Sequence, residues 1–382
     1  MTPRVKRAIA AAMSLTMLAA ATPVSPLYNA IQNAVSSVTM QASAADNKYI
    51  VNYDNTDTFS IASFDDLNMF AEAVNGGKTF ENKTITLADN FNMGTKALTT
   101  PIGTYEHSFK GTFDGNNKTI KLNIESAEGY AGLFGCVEGA TIRNIPVTGY
   151  ANCNQTAGGI CGFAAYSNIY NCTNNATVEA QNNAYNPRGD CNACAGGICG
   201  STISDVIVYN CTNNAAVKAY GDYGYAGGIL GYSFYLPLVV HNCINIAAVS
   251  GKTDIGGICG GSDEDPYIDN CYVLDVNNQF NENDVTVINA EQFKGTQKVG
   301  EKTLTEHLNT YVDTFNKTHS NDITLLEWEQ GQDYPILKIP VPQDAYTEIE
   351  GTNLKWKLED DGKLTISLIK TDETDTTKNA MP

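Results

Sequence analysis

Apolar and polar residues alternate with a period of two over 83–91 (KTITLADNF) and over 108–124 (SFKGTFDGNNKTIKLNI), where Asp114-Gly115 interposes a turn. That period belongs to strands with one buried face, and the two stretches read as the first coils of a β stack. Two other stretches follow the helical period. Ser63 opens SFDDLNMFAEAVNGG, placing Phe64, Leu67, Phe70, Ala71 and Val74 on one face, with Asp66 at the third helical position and Asn75-Gly76 as the stop. Thr303 opens TLTEHLNTYVDTF, placing Leu304, Leu308, Tyr311, Val312 and Phe315 on one face, with Thr303 and Glu306 as a capping box. Flanking a β stack, these helices are expected as lids over its two open ends. Residues 325–339 (LLEWEQGQDYPILKI) read as a last strand pair packed through Trp328 and Tyr334. Beyond Pro340 and Pro342, a hairpin alternates Leu354, Trp356 and Leu358 with Leu364, Ile366 and Leu368 around Asp360-Asp361-Gly362.

Between the helices the pattern repeats. AGGICG at Ala157 returns as AGGICG at Ala195, AGGILG at Ala226 and IGGICG at Ile255, with AGLFG at Ala131 as a divergent first copy. Each is followed by an apolar-X-Asn phrase: IRNI, IYNC, VYNC, VHNC and IDNC. The closing glycines at 135, 162, 200, 231 and 260 are spaced by 27, 38, 31 and 29 residues, the scale of a solenoid coil. A coil must keep register where it meets its neighbours and can vary at its rim. The expected architecture is all-β: a right-handed parallel β-helix over 83–288 with short capping helices. It follows a signal peptide (1–45) and an N-terminal cap (46–82), and is followed by a C-terminal cap (289–340) and a linker, hairpin and polar tail (341–382). Leu133, Ile160, Ile198, Ile229 and Ile258 should form one core row. Asn144, Asn171, Asn210, Asn242 and Asn270 should form a hydrogen-bonded ladder at a turn that accepts the left-handed conformation. Paired glycines such as Gly158-Gly159 should mark close approach of adjacent coils.

Charge changes the picture mainly by exclusion. Charged residues make up 17% of the chain and the formal net charge is -18. Arg4, Lys6 and Arg7 precede an apolar run over 8–21, which reads as a secretory signal; small-residue cleavage contexts lie at Leu18 to Ala21 and at Ala42-Ser43-Ala44, the second preferred because ordered sequence begins just after it. Removing its three basic residues takes the net charge to -18 - 3 = -21. Such a surface repels phosphate backbones and anionic lipid, so neither nucleic acid nor a membrane beyond the signal is an expected partner, and the mature protein is expected outside the cell or at its surface.

Taken together, the phrases SFKGTFDGNNKTI, YAGLFG, AGGICG, IRNI and WEQGQDYPIL resemble the bacterial surface proteins with GLUG-type repeats, over about residues 59–338. The resemblance implies a right-handed parallel β-helix on a secreted or wall-associated protein, often a non-catalytic part of larger adhesins or of zinc metallopeptidases. The terminal GTNLKWKLEDDGKLTIS is similar to hairpins that introduce leucine-rich-repeat surface modules. With neither those repeats nor a wall-sorting motif after it, the chain is expected to be a shortened member.

Candidate chemistry is sparse. The chain has 11 cysteines. Cys161, Cys199 and Cys259 share one repeat position and Cys172, Cys211, Cys243 and Cys271 another. Phe134, Leu230 and Ile145 replace them in other coils, so buried thiols are favoured over disulfides within a coil. Cys191 and Cys194 (CNAC) lack the second pair a zinc site needs, leaving a local disulfide or free thiols. Arg188-Gly189-Asp190 spells an integrin-type tripeptide, taken as chance. Without HExxH, with four scattered histidines, and with Asp263-Glu264-Asp265 reading as a solvated turn, neither catalysis, a metal nor a cofactor is expected. The expected function is a non-catalytic surface or adhesion-type module binding a glycan or protein along the β-helix flank. The ligand-binding candidates are the residues before each ladder Asn, pointing outward: Arg143, Tyr170, Tyr209, His241 and Asp269, with Tyr185, Tyr220, Tyr223 and Tyr225 nearby. The alternative is a carbohydrate-active β-helix enzyme, which a carboxylate cluster in a groove would favour.

Overall fold

The computed structural model describes residues 47–126, 129–182, 193–235, 237–274, 285–319 and 323–340, and strands at 347–348, 354–358 and 364–368. The chain divides into two compact units, one ending at Leu337 and one beginning at Lys338. The first is a parallel β-solenoid of about seven turns. Each coil visits four faces, as in Thr156–Gly158, Cys161–Ala165, Asn168–Tyr170 and Thr173–Gln181. Stacked coil on coil, these segments form sheets of 5, 4, 8 and 9 strands, here faces 1 to 4.

Register follows the repeat. Cys161 pairs with Phe134 and Cys199, and Cys199 with Leu230, so the cysteine column is interchangeable with apolar residues. Leu133, Ile160, Ile198, Ile229 and Ile258 are fully buried in one core, and Ile160, Ile198 and Ile229 donate N–H bonds to Ile198, Ile229 and Ile258 in turn (2.9–3.0 Å). Nine cysteines, both repeat columns among them, are free and buried. Burial pushes the thiols of Cys161 and Cys211 well up, because a thiolate loses hydration in an apolar core. Cys194, in the insertion, is disulfide-bonded.

The corner between faces 3 and 4 is the asparagine ladder. All five ladder residues sit at φ of 50–55°, a left-handed conformation that Asn tolerates better than any branched side chain. Each Asn donates its amide to the Oδ1 of the Asn one coil before it: 3.0 Å from Asn171 to Asn144, 2.8 Å from Asn210 to Asn171, 2.6 Å from Asn242 to Asn210 and 2.5 Å from Asn270 to Asn242. Asn144 ends the series on Asp114 Oδ1 (3.0 Å). Asp114-Gly115 thus belongs to a coil corner: Thr112–Asp114 lies on face 3 and Ile120–Ser126 on face 4.

A second ladder, not anticipated, lies three residues further on. Asn174 donates to Asn213 (2.8 Å) and Asn213 to Asn245 (2.9 Å), all three buried. It explains the paired glycines: a Cβ on Gly159, Gly197 or Gly228 would overlap Asn174, Asn213 or Asn245 respectively. In the coil where Val273 takes this position, Gly257 faces valine methyls instead.

Both helices form where expected. Ser63 Oγ accepts the Asp66 N–H (3.1 Å) to cap α2 (Phe64–Asn75), which follows a one-turn α1 (Lys48–Val51). Phe70 of α2 packs edge-on to Phe80 and Phe109 (centroids 5.0 and 5.7 Å), closing the first coil. The strand Thr58–Ser63 just before α2 already pairs in parallel with Thr84–Asn92, so the stack starts about 25 residues earlier than the alternation suggested. After a short α3 (Ala290–Phe293) comes α4 (Leu304–Thr318), held by the Thr303–Glu306 capping box. Here the lid expectation is corrected. Leu304, Leu308, Val312 and Phe315 of α4 form one buried cluster with Tyr170, Ile244, Tyr272 and Trp328, so α4 lies along the flank over several coils rather than across the end. The strands Trp328–Gln330 and Pro335–Leu337 pair antiparallel. In the second unit Leu354–Leu358 pairs antiparallel with Leu364–Leu368, and Thr347–Glu348 adds a third strand.

Candidate functional site

The proposed binding column is one row. Arg143 pairs with Tyr170, Tyr170 with Tyr209, Tyr209 with His241 and His241 with Asp269 along face 3. The row is not open to a ligand, and this corrects the expectation drawn from strand alternation. Tyr170 is 1% exposed and His241 8%, and only Asp269 remains exposed. Alternation directed the row away from the coil core as expected, but the apolar face of the amphipathic α4 packs on the aromatic groups of that row. Tyr209 meets Phe315 edge-on (5.0 Å) and His241 Nδ1 lies 2.7 Å from Tyr311 Oη. Arg143, half-buried, is paired with Asp114 (2.9 Å) and donates to Tyr170 Oη (3.1 Å).

The segment after α4 then lies on the ladder itself. Asn171 donates to Thr324 O (2.9 Å) and accepts from Leu326 N (3.0 Å). Asn210 donates to Leu326 O (2.9 Å) and accepts from Trp328 Nε1 (2.6 Å). Of the accessory tyrosines, Tyr220 lies on face 4 and Tyr225 on face 1, away from the row; Tyr185, the Arg188-Gly189-Asp190 tripeptide and Cys191 lie outside the described residues.

Burial under α4 lowers the pKa of His241, opposed by the charge of Asp269 and by Cys243, and its Nε2 has no hydrogen-bond partner. Tyr209, Tyr267 and Tyr311 supply the other faces of its environment. A histidine with a depressed folded pKa stays neutral when docked, while the undocked form protonates near 6.5. Docking of α4 should therefore be constant above about pH 7 and weaken as pH falls through about 6.5 toward the folded value, below which it levels off. Amide exchange, corrected for its intrinsic pH dependence, should show residues 304–318 losing protection between pH 7.5 and 5 while face 2 strands do not. A flat profile, or the same profile in His241→Gln, would contradict this assignment.

The surface left open is elsewhere. Asn75 at the end of α2 donates to Pro101 O (3.1 Å), accepts from Gly103 N (2.7 Å), and its carbonyl lies 2.8 Å from His107 Nδ1. Gly103 adopts φ +81° where a Cβ would come within 2.6 Å of Cys136 O, so the loop can approach face 2 only with glycine there. The loop closes as a turn through Thr104 N to His107 O (3.0 Å), projecting Tyr105 and Glu106 at its tip. Tyr105, 69% exposed, lies parallel to Tyr130 (centroids 6.1 Å, 10°), and both meet Phe163 at 6.2 Å. Beside them is a cleft of about 830 Å³ lined by Asn75, Thr104, Tyr105, Glu106, His107, Glu125, Ser126 and Tyr130 among others. That size is within the range of small-ligand sites, about 300–1,000 Å³. Burial pushes the Tyr130 phenol up to about 12, so it stays a neutral hydrogen-bonding group.

Tyr130 and Tyr225 share a repeat position, the residue before the Ala-Gly phrase, and column register links them through Thr156 and Cys194. The coincidence of YAGLFG and YAGGIL is the signal in the sequence for a tyrosine at this position of face 1, although Thr156 and Cys194 occupy the coils between. The loop carrying Tyr105 and Glu106 lies outside the repeat and offered none. Asp263, Glu264 and Asp265 are exposed, and among the described residues no group of three or more His, Cys, Asp or Glu could hold a metal ion. No described helix is long and apolar enough to cross a membrane.

The GLUG motif model matches residues 154–179. A solved structure similar to the chain is that of a "putative immunoglobulin A1 protease" from Bacteroides ovatus at 1.30 Å, with 16% identity over 74% of this chain and 92% of that one and a TM-score of 0.47. No curated protein matches significantly. The matched motif falls on the coil that runs from Thr156 to Gln181, where, as in the two coils that follow, both asparagine ladders and the paired glycines occur together. The chain is therefore a parallel β-solenoid in which residues 154–179 match the GLUG motif.

Proposed function

We propose that the protein is an exported, non-catalytic recognition module of surface or adhesion type, and that it binds an extended glycan or protein at the Tyr105–Tyr130–Phe163 cluster rather than along the row under α4. The observation that carries this reading is an exposed aromatic group beside a polar cleft on a rigid scaffold. Buried aromatics stabilise a fold, whereas a tyrosine held 69% exposed at a pinned turn gains little from its position unless something else covers it. The acidic composition, and the basic residues ahead of an apolar run over 8–21, support export and solubility.

The enzyme reading draws support from Glu106 and Glu125 lining the same cleft. Glycoside hydrolysis needs two such groups, one of them protonated at working pH. Binding of the full chain to glycan and host-protein arrays separates the two. The recognition reading expects retention of one ligand class without cleavage, and at least a tenfold loss of affinity in Tyr105→Ala/Tyr130→Ala. Binding unchanged in that variant would remove the cluster from consideration. Polysaccharide cleavage abolished by Glu125→Gln would decide for the enzyme.

A further inference from the structure

Resting on that reading, we propose that the cleft selects glycans whose pyranose carries a free, protonated amino group. Three features converge on it. The rings of Tyr105 and Tyr130 offer an aromatic surface for the C–H face of a sugar, and their π-faces also attract a cation. The two charged carboxylates lining the cleft, Glu106 and Glu125, are both exposed toward solvent, and no Lys or Arg is among the lining residues. A second, smaller cleft of about 320 Å³ shares Glu125 and Ser126 with the first and continues to Asn152, Asn154, Glu179 and Gln181.

Parallel register sets Glu125 beside Asn152 and Asn152 beside Glu179, so this second stretch is a column on face 4 along the solenoid axis. Two carboxylates, Glu125 and Glu179, stand in it roughly 10 Å apart at the usual strand spacing, with Asn152 between them, and Lys218 follows beside Glu179 in the next coil. A chain molecule lying along this stretch would meet two acceptors for ammonium groups with a donor amide between them, and Lys218 sets its far limit. The acidic balance of the whole chain adds long-range attraction for cations and repulsion for uronates or sulfated sugars, but supplies no local discrimination.

Affinity of the full chain for three tetrasaccharides of equal length, measured by calorimetry at pH 6 and low salt, tests the assignment. The probes are a glucosamine tetramer, its N-acetylated counterpart and a galacturonic acid tetramer. The expected result is at least tenfold tighter binding of the free amine than of the acetylated probe, and no binding of the uronate. In Glu106→Gln/Glu125→Gln the amine advantage should fall to within about twofold while binding of the acetylated probe is kept. Tyr105→Ala should weaken both. Equal affinity for amine and acetylated probes would overturn the charge selection and leave glycan recognition at the tyrosines standing. An amine advantage that survives in the double Gln variant would also overturn it, since the attraction would then be that of the whole acidic surface. If no probe binds and the array shows no ligand sensitive to Tyr105→Ala, the recognition reading itself fails.

Discussion

Asn210→Ala should detach the C-terminal helix from the solenoid. Asn210, like Asn171, is a ladder residue whose side chain joins four partners, and it alone of the two holds Trp328: it donates to Asn171 Oδ1 and Leu326 O, and accepts from Asn242 and from Trp328 Nε1. Trp328 is 2% exposed, so its indole N–H would find no water in exchange. A buried donor or acceptor left unpaired costs about 1–3 kcal/mol, and the substitution orphans at least two. Alanine must also hold the φ of 55° that Asn accepts, at about 1–2 kcal/mol. A total above about 4 kcal/mol is expected to fall locally, because a coil is coupled chiefly to its neighbours. Hydrogen exchange should show residues 304–330 opening while the coils before Asn144 stay protected. Asn210→Gly should recover the backbone part of the loss and none of the side-chain part. A loss under about 1 kcal/mol would mean that α4 is held by its apolar face alone.

This prediction could not have been drawn from the sequence, and the reason is physical. The repeat made the stacking visible because each coil faces a copy of itself, so side chains that must match recur at fixed spacing: the Ile row, the Cys columns and the first Asn ladder all read directly. The second ladder was equally periodic, as NCTN at Asn171 and Asn210 and NCIN at Asn242, but its meaning lies in the glycine it meets on the opposite face, which spacing along the chain does not reveal. The position of α4 is a contact between the repeat and something outside it. Its apolar stripe said that it must cover a surface; whether that surface was an end or a flank depended on Tyr209 and His241 offering aromatic area on face 3. The same holds for the cleft. Tyr105 is brought to Tyr130 by Asn75 and Gly103, residues with no periodic partner. Periodicity therefore described the scaffold and was silent at the places where unrepeated segments dock on it.

Gly197→Ala should disrupt the middle coils altogether. A Cβ there would overlap the carbonyl oxygen of Gly228 in the next coil and the side chain of Asn213, and the latter is fixed by its bonds to Asn174 and Asn245. Neither obstacle is the free end of a flexible side chain, so relief requires the coils to separate or the second ladder to break. Losses above about 4 kcal/mol are uncommon for a point change and mark such enforced clashes. Gly94→Ala is the contrasting case: with φ +60° and nothing within 4 Å of the new Cβ, it should cost only the left-handed penalty, about 1–2 kcal/mol. The buried thiols supply a local readout. Cys199 and Cys211 are free and buried, two residues from Gly197 and from Asn213 respectively, and react with a thiol reagent only when the coil opens. In the unaltered protein and in Gly94→Ala both should stay unlabelled for hours without denaturant. In Gly197→Ala they should label within minutes, ahead of Cys136 beside the first copy of the glycine phrase. Uniform labelling of all three would point to global unfolding, and none to a coil spacing more compliant than close-packed glycine allows.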